Sequence, residues 1–198
     1  IGREDIDAIS PYQDQIEAII LPKTQSFDFL ATLAPMIDFS NKLVPLIETP
    51  RAIDTVTQIA AFKDVVGLFF GAADSSASLG CKLAWEPLLY ARQKVVLAAA
   101  MYNLFTIDAP FFYMDDKEGL KKEAEAVKNL GFTGKAAIHP DQIDFINESF
   151  APTSEEIAEG KKVLEEYQKS GGGAVKIDGQ MVDEPIAEAM RLKISLGE

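Results

Sequence analysis

The sequence predicts an α/β fold whose sheet is parallel and covered by helices on its faces. Three observations carry that expectation. First, five short apolar runs recur along the 198 residues: Ala18-Leu21, Leu43-Ile47, Val65-Phe70, Phe105-Ile107 and Ala136-Ile138. Runs that are apolar throughout, rather than alternating, suit strands buried on both faces. Second, the stretches between them are long enough for a helix and two loops, which a parallel crossover requires. Third, each run stops at a side chain able to do chemistry: Lys23, Glu48, Asp74, Asp108 and His139. Covered parallel sheets carry their sites at the carboxyl ends of the strands, so one rim collects a lysine, three carboxylates and the only histidine.

The intervening segments justify the covering layer. Arg3 to Glu17 reads as a helix packing onto the first strand, and Asp54-Phe62, Glu86-Asn103, Lys117-Asn129 and Asp141-Phe150 carry helical apolar spacing. In the third of these four, Leu120, Ala124, Val127 and Leu130 form one stripe, Lys117, Lys121, Lys122 and Lys128 line the wet side, and Gly131 supplies the stop. Trp85, Tyr90 and Tyr102 read as packing residues at helical spacing, and Arg92 as a structural ion-pair partner. The character changes at Ala151-Pro152. Thr153 followed by Glu156 is a capping box that opens a charged helix through about Lys169. Three glycines, 171 to 173, break it. Ala174 to Val182 then reads as a hairpin turning at Asp178-Gly179, with a last helix from about Glu184. Residues 1–150 are therefore expected to form the sheet domain. Residues 151–198 form a helix-hairpin-helix appendage that can fold over a site.

Composition narrows the function classes. With 47% hydrophobic residues the chain can bury one substantial core. Its single cysteine, Cys81, excludes an internal disulfide and a cysteine-built metal site, and reads as packed. A net charge of −12 argues against nucleic-acid and acidic-membrane partners, since binding polyanions relies on dense positive charge. The longest apolar stretch, Val95 to Met101, is far short of a membrane span and no leader pattern is seen, so a cytosolic or organelle-matrix location is expected. No GxGxxG, Walker or GxSxG motif occurs, and the triple glycine lacks the Lys-Ser/Thr of a phosphate loop.

The carboxylates hold the chemistry. Glu48 and Asp74 end consecutive strands, which as neighbours lie about 4.8 Å apart. Two like charges at that range repel by roughly 4 kcal/mol at an effective dielectric near 20. A proton, an intervening lysine or arginine, or a hard divalent cation completed by water or substrate oxygens would offset this. Helix capping and loop hydrogen bonds are the plainer alternative. The small residues Gly71-Ala72-Ala73-Asp74-Ser75 read as a turn whose amides can face an anion. Lys23 can point into the rim and hold a carboxylate or phosphate.

Five segments in order resemble one family. They are Leu46-Ile47-Glu48-Thr49-Pro50-Arg51, Leu68 through Asp74, Leu89-Tyr90-Ala91-Arg92, Ile107-Asp108-Ala109-Pro110, and Gly134 through Pro140. These are similar to motifs of the citrate lyase beta-subunit-like family, which includes malyl-CoA and citramalyl-CoA lyases within the phosphoenolpyruvate/pyruvate-binding barrel superfamily. The resemblance implies a TIM-type β/α barrel, of which this chain carries the last five of eight strands, with a C-terminal lid. The family's earlier strands bear a substrate-binding arginine, so a longer polypeptide is expected. The resemblance further implies Mg2+ on Glu48 and Asp74, with Glu48 also facing substrate. It implies a 2-oxo-acid carboxylate held at Ala72, Ala73 and Asp74, and the acyl-CoA side near Pro110, Ile138 and His139. Asp183, which on composition alone reads as the N-cap of the last helix, inherits the acid/base role through its place in the lid motif Met181 through Pro185. His139 is not the general base in this family, and a lid shared between subunits implies a homo-oligomer, a trimer or hexamer. The implied activity is Mg2+-dependent carbon–carbon cleavage of a malyl-, citramalyl- or citryl-CoA-like substrate into an acyl-CoA and a 2-oxo acid. A thioesterase on the same scaffold, or a metal- and CoA-binding module without turnover, are the alternatives.

Overall fold

A computed structural model describes residues 3–36, 42–171 and 173–195. In chain order the elements are α1 (Arg3–Ile9), β1 (Ile19–Leu21), α2 (Phe27–Leu33), β2 (Leu43–Ile47), α3 (Pro50–Asp54) and α4 (Val56–Ala60). There follow β3 (Gly67–Phe70), α5 (Ala72–Leu79), α6 (Trp85–Met101), β4 (Phe105–Asp108), α7 (Lys117–Leu130), β5 (Gly134–Lys135) and α8 (Ile143–Phe150). The C-terminal part comprises α9 (Ser154–Lys169), β6 (Val175–Ile177), β7 (Gln180–Val182) and α10 (Glu184–Ser195). Two compact units result, Ile1–Ile146 and Asn147–Glu198.

The first unit is built on a five-stranded sheet in the order β1-β2-β3-β4-β5, every pair parallel. Consecutive strands are neighbours, the order of a β/α barrel. Strand interiors are apolar because both faces are covered: Leu21, Leu43, Val44, Ile47, Leu68 and Phe70 are all buried. Leu43 pairs with Val65, just ahead of β3, whereas Leu46 pairs with Phe69, so three steps along β2 match four from Val65 to Phe69. This extra residue is a β-bulge beside Pro45, which has no N–H to give to the ladder. Past it Ile47 lies opposite Phe70, which brings the next residues, Glu48 and Gly71, side by side.

Local signals set the element ends. Thr49 caps α3 through its side-chain oxygen, accepting from the Ala52 amide at 3.1 Å, with Pro50 in the first turn. Asp116 caps α7, and Gly131 at φ 106° ends it in the left-handed region that glycine enters without a Cβ clash.

Three expectations need correction. The fifth strand is Gly134–Lys135 rather than Ala136-Ile138; Ala136 donates the last rung to the Asp108 carbonyl at 2.9 Å, and Ile138 is half exposed. The charge on Lys135 disguised the strand, because that charge is buried only by virtue of distant partners. The segment Gly71-Ser75 is the start of α5 rather than a free turn, its helical pattern hidden by small residues and ended at Gly80. Tyr90 and Tyr102 face solvent on or beside α6, at 68% and 41% exposure, rather than packing.

The second unit has its own core of Tyr167, Ile177, Val182 and Ala187, with Val163, Leu164, Val175 and Ile186 against it. The capping box at Thr153 and Glu156 is formed reciprocally, at 3.1 and 2.9 Å. Asp178 and Gly179, at φ 48° and 88°, make the two-residue hairpin turn between β6 and β7. Positive φ at both central positions matches the strand twist.

Candidate active site

At the carboxyl ends of β1, β2 and β3 one cation and two carboxylates meet. Glu48 follows β2 and is 3% exposed. Asp74 lies in the first turn of α5, after β3, with its side chain half exposed. Lys23 follows β1 in a left-handed conformation, φ 54°, uncommon for a residue with a Cβ. That turn aims two donors of one residue at the pair. The Lys23 amide donates to Glu48 Oε1 at 2.7 Å, while its ammonium bonds Asp74 Oδ1 and lies 3.8 Å from Glu48 Oε1. Thr24, fully buried, steadies the turn by donating to the Leu21 carbonyl at 2.9 Å. The hydrogen bond to Asp74 holds the Lys23 ammonium above the usual lysine range; partial desolvation opposes it, and the charge of Glu48 reinforces it.

Gly71 makes this geometry possible. A Cβ at that position would fall 2.6 Å from Glu48 Cβ and 3.0 Å from Glu48 Oε2. The backbone of Gly71 is tied down by its amide on the Ile47 carbonyl at 2.9 Å, so neither strand end can retreat. Immediately after it, the amides of Ala72, Ala73 and Asp74 form the first turn of α5, where no intrahelical carbonyl serves them and negative charge is favoured.

Hard oxygen donors that already draw an ammonium between them suit Mg2+. Among the described residues no group of three or more His, Cys, Asp and Glu side chains could hold a metal. Two protein carboxylates with water or substrate oxygens making up the rest is a usual Mg2+ arrangement. The residues present therefore fit that ion, and Glu48 and Asp74 are the ones that would hold it.

The third rim carboxylate is committed elsewhere. Asp108, wholly buried at the end of β4, accepts from Arg92 Nε at 2.8 Å and Lys135 Nζ at 2.9 Å. Lys135 Nζ also reaches the Ala109 carbonyl and Glu123 Oε1, each at 2.7 Å. Arg92 lies between the Trp85 and Phe70 rings, 4.8 and 5.1 Å from their centroids. This buried network locks β4, β5, α6 and α7 together. Asp108→Ala would leave two buried cations short of a partner, and an increase of unfolding in urea equivalent to about 3–5 kcal/mol is expected.

Two of the residues assigned to the acyl-CoA side, Pro110 and His139, line different cavities. Pro110 lines a small cavity of about 20 Å³ with Ala72, Arg92 and Phe111. His139 lines a separate cleft of about 180 Å³ with Tyr113, Lys117, Asp141 and Gln142. The His139 Nδ1 accepts from the Asp141 amide at 3.2 Å, a capping role. Gln142 was not singled out from sequence, yet it is buried and joins two rim loops, donating to the Phe111 carbonyl at 2.9 Å and accepting from the Ile138 amide at 3.0 Å. An interior glutamine beside an apolar helix start was the only available signal. In the second unit, Asp183 precedes α10 and accepts from the Ile186 amide at 3.4 Å.

A sequential parallel β/α sheet with an acidic, cation-holding site at its strand ends is the architecture of β/α-barrel enzymes. Residues 3–140 match the family model HpcH/HpaI aldolase/citrate lyase, and the chain belongs to that family. It is 30% identical to the citrate lyase subunit beta of Haemophilus influenzae over 94% of this chain and 70% of that protein. To human mitochondrial citramalyl-CoA lyase it is 29% identical, over 99% of this chain and 64% of the relative. The chain thus spans about two thirds of the length of these relatives. The crystal structure of CitE from Mycobacterium tuberculosis in complex with magnesium, acetoacetate and coenzyme A superposes with a TM-score of 0.84 at 30% identity, covering 98% of this chain and 72% of that one. Among the described residues no helix is long and apolar enough to cross a membrane.

Proposed function

We propose that this chain carries the metal site and lid of a Mg2+-dependent carbon–carbon lyase acting on a 3-hydroxyacyl-CoA of the malyl-, citramalyl- or citryl-CoA type. The observation that carries this is the convergence of Glu48 and Asp74 on one cation beside the free amides of α5. Family membership and the magnesium, acetoacetate and coenzyme A named for the CitE structure support it. Mg2+, when bound, supplies a Lewis acid for the oxygen that gains negative charge.

The chain's own residues do the rest. Glu48 and Asp74 would hold the ion beside the hydroxy-acid end of the substrate. The amides of Ala72, Ala73 and Asp74 receive that end's carboxylate. Pro110, Ile138 and His139 border the acyl-CoA side. The reaction breaks the bond between the hydroxyl-bearing carbon and the carbon next to the thioester. The hydroxyl gives its proton to water and becomes the keto oxygen of the 2-oxo acid. The bond's electron pair passes to the thioester as an enolate, and water restores the proton that the enolate takes from Asp183. Asp183 delivers a proton to that enolate carbon, and in the reverse direction removes it. A lid built from the second unit would keep water from the site, and a homo-oligomer would let the lid of one subunit serve another.

Product analysis tests the proposal. Incubated with malyl-CoA or citramalyl-CoA and Mg2+, the protein is expected to release glyoxylate or pyruvate with a shorter acyl-CoA. Free CoA with intact hydroxy acid would mean a thioesterase. Thermal stabilisation by ligand without either product would mean binding alone. A second expectation concerns Gly71. Gly71→Ala must displace Glu48 by its Cβ, so kcat should fall by about a hundredfold, as reactant misplacements of this size do. Mg2+ affinity should fall with it in calorimetry, while the far-UV dichroism stays native.

A further inference from the structure

We infer that Lys23 is a built-in placeholder for the metal: its ammonium holds the Glu48 and Asp74 carboxylates together in the metal-free protein and leaves when Mg2+ enters. The inference rests on the metal reading above and adds the exchange. Its basis is the position of the ammonium, bonded to Asp74 and 3.8 Å from Glu48, which is the seat a shared cation must take.

Two features separate this residue from an ordinary surface ion pair. Lys23 sits in the left-handed region, φ 54°, where a residue with a Cβ is uncommon and where such strain gathers at functional turns. Its backbone and its side chain are also held by different strengths. The amide is fixed on Glu48 at 2.7 Å, against a carboxylate only 5% exposed, whereas the side chain is 59% exposed and meets an Asp74 that is 52% exposed. The anchor is therefore rigid and the ammonium can swing out into water at small cost, because an exposed pair contributes little. The exchange is demanded by charge. Two carboxylates balance one Mg2+; retaining the ammonium as well would crowd three positive charges onto two negative ones. Without either cation, Glu48 would face Asp74 uncompensated while buried. The lysine so offsets the repulsion between the two carboxylates and weakens metal binding by the modest strength of the pair it gives up.

The test is Mg2+ titration of the full chain by calorimetry, with thermal melting alongside. Lys23→Met keeps the stem and the backbone amide but removes the charge. It should bind Mg2+ about two- to fivefold more tightly than the parent, melt lower without metal, and gain more in Tm on adding Mg2+. Lys23→Arg keeps a cation in place and should bind Mg2+ no more tightly than the parent. Unchanged or weaker Mg2+ binding by Lys23→Met overturns the placeholder. Should that variant not fold, tighter binding by Lys23→Arg would overturn it equally. A parent protein that binds no Mg2+ at all, with Lys23→Met also silent, removes the metal reading itself and this inference with it.

Discussion

Glu48→Gln and Asp74→Asn should each lower turnover of the hydroxyacyl-CoA by about a thousandfold, the several kcal/mol that a correctly held Lewis acid contributes. Neither change removes much volume. The carboxamide oxygen introduced by Glu48→Gln can still accept from the Lys23 amide, which Glu48 meets at 2.7 Å, so the strand ends should stay in place. What each variant loses is half of the negative charge proposed to hold a dication. Mg2+ binding should therefore weaken in parallel with the rate, and the double variant should be little worse than either single one, because the two carboxylates act as a unit. Steady-state kinetics at several Mg2+ concentrations, with calorimetry, reads both effects. Turnover at the parental rate in either variant would show that the pair does not hold the ion.

Asp183→Asn should cost about a hundred- to ten-thousandfold in carbon–carbon cleavage, the usual contribution of a positioned proton donor. The substitution is informative because it separates the proposed acid/base role from the capping contact that the structure shows. As the residue before α10, Asp183 accepts from the Ile186 amide at 3.4 Å, and asparagine caps a helix as well as aspartate does. A merely capping residue would thus be replaced with no change in melting temperature or rate. An acid/base would be lost outright. Exchange of the acyl-CoA α-proton with solvent deuterium offers a readout that capping would not move, and it should vanish in Asp183→Asn. Retained cleavage, with product release shown not to be rate-limiting, would take Asp183 out of the mechanism.

Much of the scaffold was legible because its signals are local. The apolar runs at Leu43-Ile47 and Val65-Phe70 marked β2 and β3. The stripe of Leu120, Ala124 and Val127 with Gly131 behind it marked α7, and Asp178-Gly179 marked the hairpin turn. The failures share a cause as well. Gly134–Lys135 escaped notice as a strand because a lysine is seldom buried, and α5 because alanines and serines give a helix no apolar stripe. Tyr90 and Tyr102 show the reverse error: aromatic character alone does not decide which face of a helix is covered.

The candidate site divides along the same line. The residue types at the rim were set by sequence, since a strand's end and the side chain that follows it are neighbours along the chain. Which of them meet was settled only by folding. Asp108 looked equivalent to Glu48 and Asp74, yet it is spent on Arg92, 16 residues away, and Lys135, 27 away. Lys23 joins Asp74 across 51 residues, and Gly71 matters through the one side chain, Glu48, that its missing Cβ lets approach. Backbone preference and apolar period act over a few residues and can be read in order. Charge pairing and close approach depend on strand register and on what lies across the sheet, and those distances exist only once the chain has packed.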